Sequence, residues 1–327
     1  WTIGLFTSIF GNSIFILKLP SLLAHFLTSI VLFNLSKVFN RNTEESLWLS
    51  ITYLLFFAVS LSSNIISTDP FLLLFWSSSL LFFKICLNKK SIKNIILTSI
   101  FVALGFYAKY AMIYFFLSSA VLILFTNNKK ELIKSILIIF FIVLILISPH
   151  LYWVYSTNWV TFIHTSDNFN WNASLYNFEQ LINFIVSQFF ISTPIILFIF
   201  IKQFAKTKKF IQSYSFEIAY SLPILVLITA QSFISRANAN WSSVAFIGVT
   251  MIVVNVLYKN YKKIFLLNTA LGLAVLILVS IFIINPPNIS PFNKLQGMKD
   301  AAKEIQFLDE SLNSDYIVFD DRMNIAK

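Results

Sequence analysis

Ionisable side chains are scarce in this 327-residue chain, so each one set among apolar residues asks for a reason. Asp69, in SSNIISTDPFLLLFW, is the only acidic residue between Glu45 and Glu131. A carboxylate facing lipid at mid-depth costs about 3 kcal/mol, and much less at an interface or in a wet cavity. Two readings compete for it. Pro70 suits the first turn of a helix, and Asp69 before it can cap that helix at the positive end of its dipole. Alternatively, the carboxylate bears charge in a reaction site.

Three cations stand apart from the lysine clusters: Lys18 before Leu19-Pro20-Ser21, Lys109 in GFYAKYAMIY, and Arg236 in SRANANW. An isolated cation at a membrane surface suits a lipid-linked phosphate or pyrophosphate, Arg as a fork and Lys as a point charge. Snorkelling to the interface is the bland alternative for each. The stretch SPHLYWVYSTNWVTFIHTS adds His150, Trp153, Trp159 and His164, with Asp167 just beyond. Such a mixture binds sugars, with apolar ring faces on Trp or Tyr and hydroxyls paired to amide, carboxylate and imidazole groups. His150 and His164 lack the i, i+4 spacing that would bring them together on a helix, so no metal site is assigned.

The elements that must position these residues are apolar helices. The chain is 57% hydrophobic and 12% charged, with a mean hydropathy of +0.78, which excludes an ordinary soluble domain. Apolar runs match a hydrocarbon core roughly 30 Å thick and lack the alternation of a barrel strand. Ten apparent spans are predicted, at 20–38, 47–65, 70–87, 93–108, 110–126, 132–148, 180–201, 215–232, 242–258 and 264–284. The expected fold class is therefore an all-α polytopic membrane protein. Residues 1–18, broken by Gly11 and Asn12, read as an interfacial segment. The fourth and fifth spans are short and meet at Lys109. The single cysteine, Cys86, supplies neither a disulfide framework nor a thiolate metal site.

Basic residues orient the spans. One set of connections carries Lys37, Arg41, Lys84, Lys89, Lys90, Lys93, Lys129, Lys130, Lys134, Lys202, Lys206, Lys208, Lys209, Lys259, Lys262 and Lys263; the opposite set, up to the last span, carries Lys18, Lys109 and Arg236. This positive-inside bias puts Asp69, the loop 149–179 and the tail outside the cytoplasm. The net charge of +10 is thus a topology signal, not a nucleic-acid patch. The outer face also collects Trp153, Trp159, Trp171 and Trp241. Residues 1–284 form the expected transmembrane domain. The tail 285–327 opens with Asn285-Pro286-Pro287 and reads as the start of a small α/β extracytoplasmic domain, MKDAAKEIQFLDESL as helix and DYIVF as strand. The chain opens in mid-pattern at Trp1 and is read as lacking its N-terminus.

Five segments in order resemble one family. FGNSIFILKLPSLLAHFL, STDPFLLLFW, LGFYAKY, SPHLYWVYSTNWVTFIHTS and RANANWSSVAFIG are similar to the motifs of membrane glycosyltransferases of the dolichyl-phosphate-mannose–protein mannosyltransferase type, in particular family 39 and its bacterial branch with aminoarabinose transferases. Each motif is loose alone, but five in order across nearly the whole chain are specific. The resemblance implies a GT-C helical bundle. It implies an enzyme that takes a sugar from a polyprenyl-phosphate donor and passes it to an extracytoplasmic acceptor such as lipid A, a glycan or a protein. Its motifs carry over to Asp69, Lys109, Trp153, Trp159, Asn240 and Trp241. Lys18 stands where the family has Arg, and Val154 where it has Asn. The family's acidic pair, which supplies the base, is expected ahead of Trp1; Asp69 would then orient that base, hold a divalent cation or contact substrate.

The expected protein is thus an inverting, multi-pass glycosyltransferase integral to the inner (plasma) membrane, with its active face outside the cytoplasm and no tightly bound cofactor assigned. A transporter or lipid flippase is the competing class. It should place ionisable groups near mid-membrane and break helices in matched halves, whereas no internal repeat is evident here. Sidedness is directly testable. In a Cys86→Ser background, a single cysteine at Ser166 should react with an impermeant maleimide added outside cells, and one at Ser213 should be protected. The reverse pattern would sink the orientation.

Overall fold

A computed structural model describes residues 2–11, 13–169, 176–204 and 208–284. The chain divides into two compact units, residues 1–274 and 275–327; of the second, the described part is the end of the last helix. The expected tail domain at 285–327 and Trp171 lie outside the described residues.

The described residues form helices and 3-10 turns with no strand among them. In chain order they are α1 (Thr2–Phe10), α2 (Ile14–Val38), α3 (Thr43–Leu54), α4 (Phe57–Ser62), α5 (Asp69–Lys89), α6 (Ile92–Ala108), α7 (Tyr114–Leu122), α8 (Lys129–Ser156), α9 (Val160–Phe169), α10 (Phe178–Ile191), α11 (Pro194–Phe204), α12 (Lys208–Ser213), α13 (Ser215–Ala219), α14 (Leu222–Ile234), α15 (Ala245–Asn260) and α16 (Lys262–Ile284). The apolar runs read from the sequence are helical for most of their length, but among the described residues fewer are full-length spans than the ten expected. Among the described residues, five stretches are long and apolar enough to cross a membrane, or six if the pair α10–α11, bent by 107°, counts as one. The 47–65 run is broken into α3 and α4. Residues 92–108, 110–125 and 245–260 are shorter apolar helices.

α5 is the most buried of the long apolar helices. In its apolar window 61% of residues are buried, against 22% in α8, whose Phe141 and Ile145 face outward. In lipid, helices associate by close packing, because apolar surface alone favours no partner. The sequence of α5 supplies that packing: Ser77, Ser78 and Ser79 are small and buried, and Trp76 is fully buried, edge-on to Phe115 of α7 and to Tyr220. The Ser79 hydroxyl donates a hydrogen bond to the Phe75 carbonyl at 2.7 Å, so its polar atom needs no outside partner.

Two antiparallel turns set the ends of the bundle. α5 runs from Asp69 to Lys89, the chain reverses at Lys90 (φ 47°), and α6 returns. α6 then stops at Lys109, which is extended, and a 3-10 turn, Tyr110–Ile113, leads into α7. Gly105 gives Met112 room at this fold-back: a Cβ there would lie 2.6 Å from Met112 Sδ, so that side chain would have to shift. α8 rises from beside Lys90, where Glu131 lies 3.7 Å from its ammonium, to His150 near Tyr110.

Two boundaries differ from those read in the sequence. α2 starts at Ile14 under a Ser13 cap, so Lys18 belongs to the helix that continues to Val38 and not to the segment before it. The described residues of 149–179 are largely helical, since α8 continues through Pro149 to Ser156 and α9 follows. Proline removes the N–H that would bond the Ile145 carbonyl. The Ser148 hydroxyl donates to that carbonyl instead, at 2.8 Å, and the helix survives.

A buried charge cluster ties the lysine-rich end together. Arg41 donates to Glu217 Oε1 (2.9 Å) and to the Met251 carbonyl (2.6 Å), and its Nε lies 3.4 Å from Glu45 Oε1. Asn255 donates to Glu45 at 2.6 Å and accepts from Tyr214 at 2.5 Å. Gly248 lets α15 press on α13, with a Cβ position only 2.5 Å from the Glu217 carbonyl oxygen. Both ends of the Arg41–Glu217 pair are under a tenth exposed. Removing one partner of a buried pair strands the other and costs about 3–5 kcal/mol. Arg41→Met should therefore destabilise the protein by that much in detergent unfolding, and adding Glu217→Gln should recover a substantial part. Equal stability of wild type and Arg41→Met would show that the cluster does not hold these helices.

Candidate functional site

Three of the residues singled out from the sequence, Asp69, Lys109 and Asn240, converge at the end of the bundle opposite this cluster. Lys109 Nζ is 2.7 Å from Asp69 Oδ1, and Asn240 Nδ2 donates to Asp69 Oδ2 at 2.7 Å. Three segments separated by 40 and 131 residues meet on one carboxylate. The Asp69 side chain is 13% exposed and that of Lys109 26%, so the pair is shielded but not sealed.

Local structure explains each position. Asp69 opens α5 with Pro70 beside it, and Thr68, not Asp69, is the cap residue. No side chain caps this helix, so the capping account of Asp69 does not hold; its oxygens serve Lys109 and Asn240 while the helix dipole favours its charge. Lys109 projects from the break between α6 and the 3-10 turn. Asn240 belongs to a second 3-10 turn, Ala239–Ser242, anchored to α10 because Ser242 donates to buried Gln188 at 2.6 Å. Beside Asp69, the Ser67 hydroxyl is buried with no protein partner.

The next residue begins an aromatic group. Tyr110 Oη lies 2.8 Å from His150 Nε2 and donates to Thr161 Oγ1 at 3.0 Å. The Tyr110 ring stacks on Phe162 (5.4 Å, 14°), and His150 stacks on Trp153 (5.8 Å, 21°). Trp159 meets Tyr155 and Phe162 edge-on. Trp153 and Trp159 are each about half exposed, leaving ring faces for a ligand. Asn158 and Trp159 both have positive φ, 54° and 59°. That is an uncommon conformation for a bulky residue, and such strain concentrates at working sites. Lys109 and Tyr110, adjacent in one helix break, thus join the charged group to the aromatic one.

Other candidates are placed less closely. Lys18 is half-buried on the second turn of α2 and has no hydrogen-bond or ion-pair partner among the described residues. Arg236 is exposed on the segment leading to Asn240, its carbonyl accepting from Gln231 at 3.4 Å. Trp241 is partly buried against the core. The side chains of His164 and Asp167 lie outside the described residues. Val154 is fully buried, a position with no room for a polar contact to substrate.

Sequence reasoning missed two residues. Tyr110 lay inside a quoted segment, and only its contacts single it out. His25 is buried on α2, with Nδ1 2.7 Å from Tyr53 Oη and Nε2 2.8 Å from Ser62 Oγ, so it ties α2 to α3 and α4. The donor set at Asp69 does not fit a divalent cation. It offers one carboxylate with both oxygens engaged by N–H donors, and no group of three His, Cys, Asp or Glu side chains forms among the described residues.

Residues 1–153, which include Lys18, Asp69, Lys109, His150 and Trp153, match the family described as dolichyl-phosphate-mannose-protein mannosyltransferase. The chain is 27% identical over 338 residues to the lipid A galacturonosyltransferase RgtD of Rhizobium johnstonii (strain DSM 114642 / LMG 32736 / 3841), across all of this chain and 71% of that protein. No solved structure matches it significantly. The two likenesses support a membrane glycosyltransferase of the GT-C, mannosyltransferase-like kind.

If Asp69 and Lys109 share one ion pair, their substitutions must be coupled. In a double-mutant cycle of Asp69→Asn and Lys109→Gln, thermal unfolding should give a coupling of about 1–3 kcal/mol. Strict additivity would show that the contact carries no energy.

Proposed function

We propose that this GT-C, mannosyltransferase-like membrane glycosyltransferase moves a sugar from a polyprenyl-phosphate donor to an acceptor outside the cytoplasm. A lipid A-type acceptor is the reading supported by the relative's name. The observation that carries the proposal is the ammonium of Lys109, held by Asp69 beside half-exposed tryptophans at one end of the bundle.

The reaction is an inverting displacement. The acceptor hydroxyl oxygen forms a bond to the anomeric carbon as the bond from that carbon to the phosphate oxygen breaks. The hydroxyl proton passes to a carboxylate base, and the lipid phosphate leaves with the electron pair. Lys109 neutralises the charge growing on that phosphate, an effect that is large where water is excluded. Asp69 already accepts from two donors, so its role is to aim the Lys109 ammonium and the Asn240 amide rather than to take the proton. Trp153, Trp159 and His150 offer ring faces and a polar edge for the sugar. Arg236, exposed near Asn240, is a second contact for the donor's phosphate, as is Lys18 on α2.

Washed membranes carrying each variant, supplied with a radiolabelled polyprenyl-phosphate sugar, test the assignment. Lys109→Gln should lower transfer more than tenfold with the protein still folded. Asp69→Asn, which keeps size and removes charge, should lower it about thirtyfold, or about 2 kcal/mol of transition-state stabilisation. Full turnover by Lys109→Gln would return Lys109 to an interfacial anchor.

A further inference from the structure

A second charged site lies at the far end of α5. That helix begins at Asp69 and ends at Lys89, so its 21 residues place the two ends about 30 Å apart, one hydrocarbon thickness. At the Lys89 end a cavity of about 520 Å³ opens among α5, α6, α8 and α13. Three lysines line it, Lys84, Lys90 and Lys134, with the amides of Asn88 and Asn128. The one carboxylate in the lining is Glu131, 3.7 Å from Lys90; both of those side chains are more than half exposed, so solvent weakens their pairing.

The backbone adds to the same field. α6 and α8 both start at this cavity, and neither Ser91 nor Asn128 caps its helix with a side-chain hydrogen bond. Two positive helix ends with first-turn N–H groups to offer therefore border three ammonium groups. Lys84 is held in place over the rings of Phe39 (4.6 Å) and Phe216 (5.4 Å), so less of its freedom is lost on binding a ligand. Leu122, Phe125 and Ile138 form an apolar side to the cavity. A free anion has no use for such a wall, whereas the glycerol and first methylenes of a lipid do.

We propose that this cavity binds the phosphate headgroup of an anionic glycerophospholipid from the lysine-rich leaflet. The volume suits a headgroup, since ligand pockets of drug-sized molecules run roughly 300–1,000 Å³. Basic pockets between helices at the cytoplasmic face recognise lipid phosphates by the same physics. The site is separate from the Lys109 end and does not depend on the sugar-transfer reading. A lipid bound there ties α5, α6 and α8 together at the end where the lysines would otherwise repel one another.

Native mass spectrometry of the full chain in a neutral detergent, with phosphatidylglycerol or phosphatidylcholine added at equal concentration, tests this. Phosphatidylglycerol should be retained at least fivefold more than phosphatidylcholine. Lys84→Gln/Lys134→Gln should abolish that preference. Because Lys84 packs on two rings, Lys90→Gln/Lys134→Gln is run beside it; both of those lysines are exposed, and this pair should lower retention at least threefold with the melting temperature unchanged. Persistence of the lipid in 10 mM sodium phosphate assigns the site to a headgroup. Displacement by inorganic phosphate keeps the phosphate chemistry but overturns the lipid as its source. Equal retention of both lipids, or undiminished phosphatidylglycerol binding by Lys90→Gln/Lys134→Gln, overturns the proposal.

Discussion

The contact between Lys109 and Asp69 is the interaction on which the arrangement of this end of the protein turns. An ammonium and a carboxylate at the two open ends of the α5–α6 hairpin are each costly in a partly shielded place, and each offsets the other. Their pairing fixes where α6 stops relative to where α5 begins. Asn240 then joins from a segment 131 residues further along and uses the second carboxylate oxygen. With both oxygens satisfied, the carboxylate is rigid, and so is the lysine it aims. The aromatic group follows from the same break, because Tyr110, one residue on, sends its hydroxyl to His150 and Thr161.

The two ends of the bundle use charge differently. At the Asp69 end, few ionisable groups are gathered, and they stay reachable from solvent. At the opposite end, lysines crowd the surface while Arg41, Glu45 and Glu217 are buried together with Asn255. A buried network of that kind contributes little net stability over apolar packing, yet it is unforgiving once a partner is lost. It sets the relative positions of α3, α13 and α15 without competing for a ligand. Breaks in the helices follow the same economy of polar atoms: the bend between α10 and α11 is closed by Thr193 donating to Asn268, and the Pro149 gap by Ser148. Backbone groups freed within a membrane are costly unless they find such a partner.

Much of this was legible in the order of residues. Apolar run length, the one-sided lysine distribution and the isolation of Asp69 and Lys109 are consequences of the bilayer as solvent, which acts on each segment separately. Hence the all-helical class, the break at Lys109 and the candidates Asp69, Lys109, His150, Trp153 and Trp159 could be read one segment at a time. Which of those runs cross completely was not legible, because length is set by where a helix breaks. The 47–65 run parts into α3 and α4, and α10 and α11 bend apart at Ser192-Thr193. What only the tertiary structure decided is pairing. That Asp69 serves Lys109 and Asn240 instead of its own helix end, that Tyr110 bonds His150 and Thr161, and that Arg41 meets Glu217 across 176 residues are all contacts between distant segments. Hydropathy and local spacing carry no record of such contacts, since they describe how a residue meets its solvent and not which neighbour it will find.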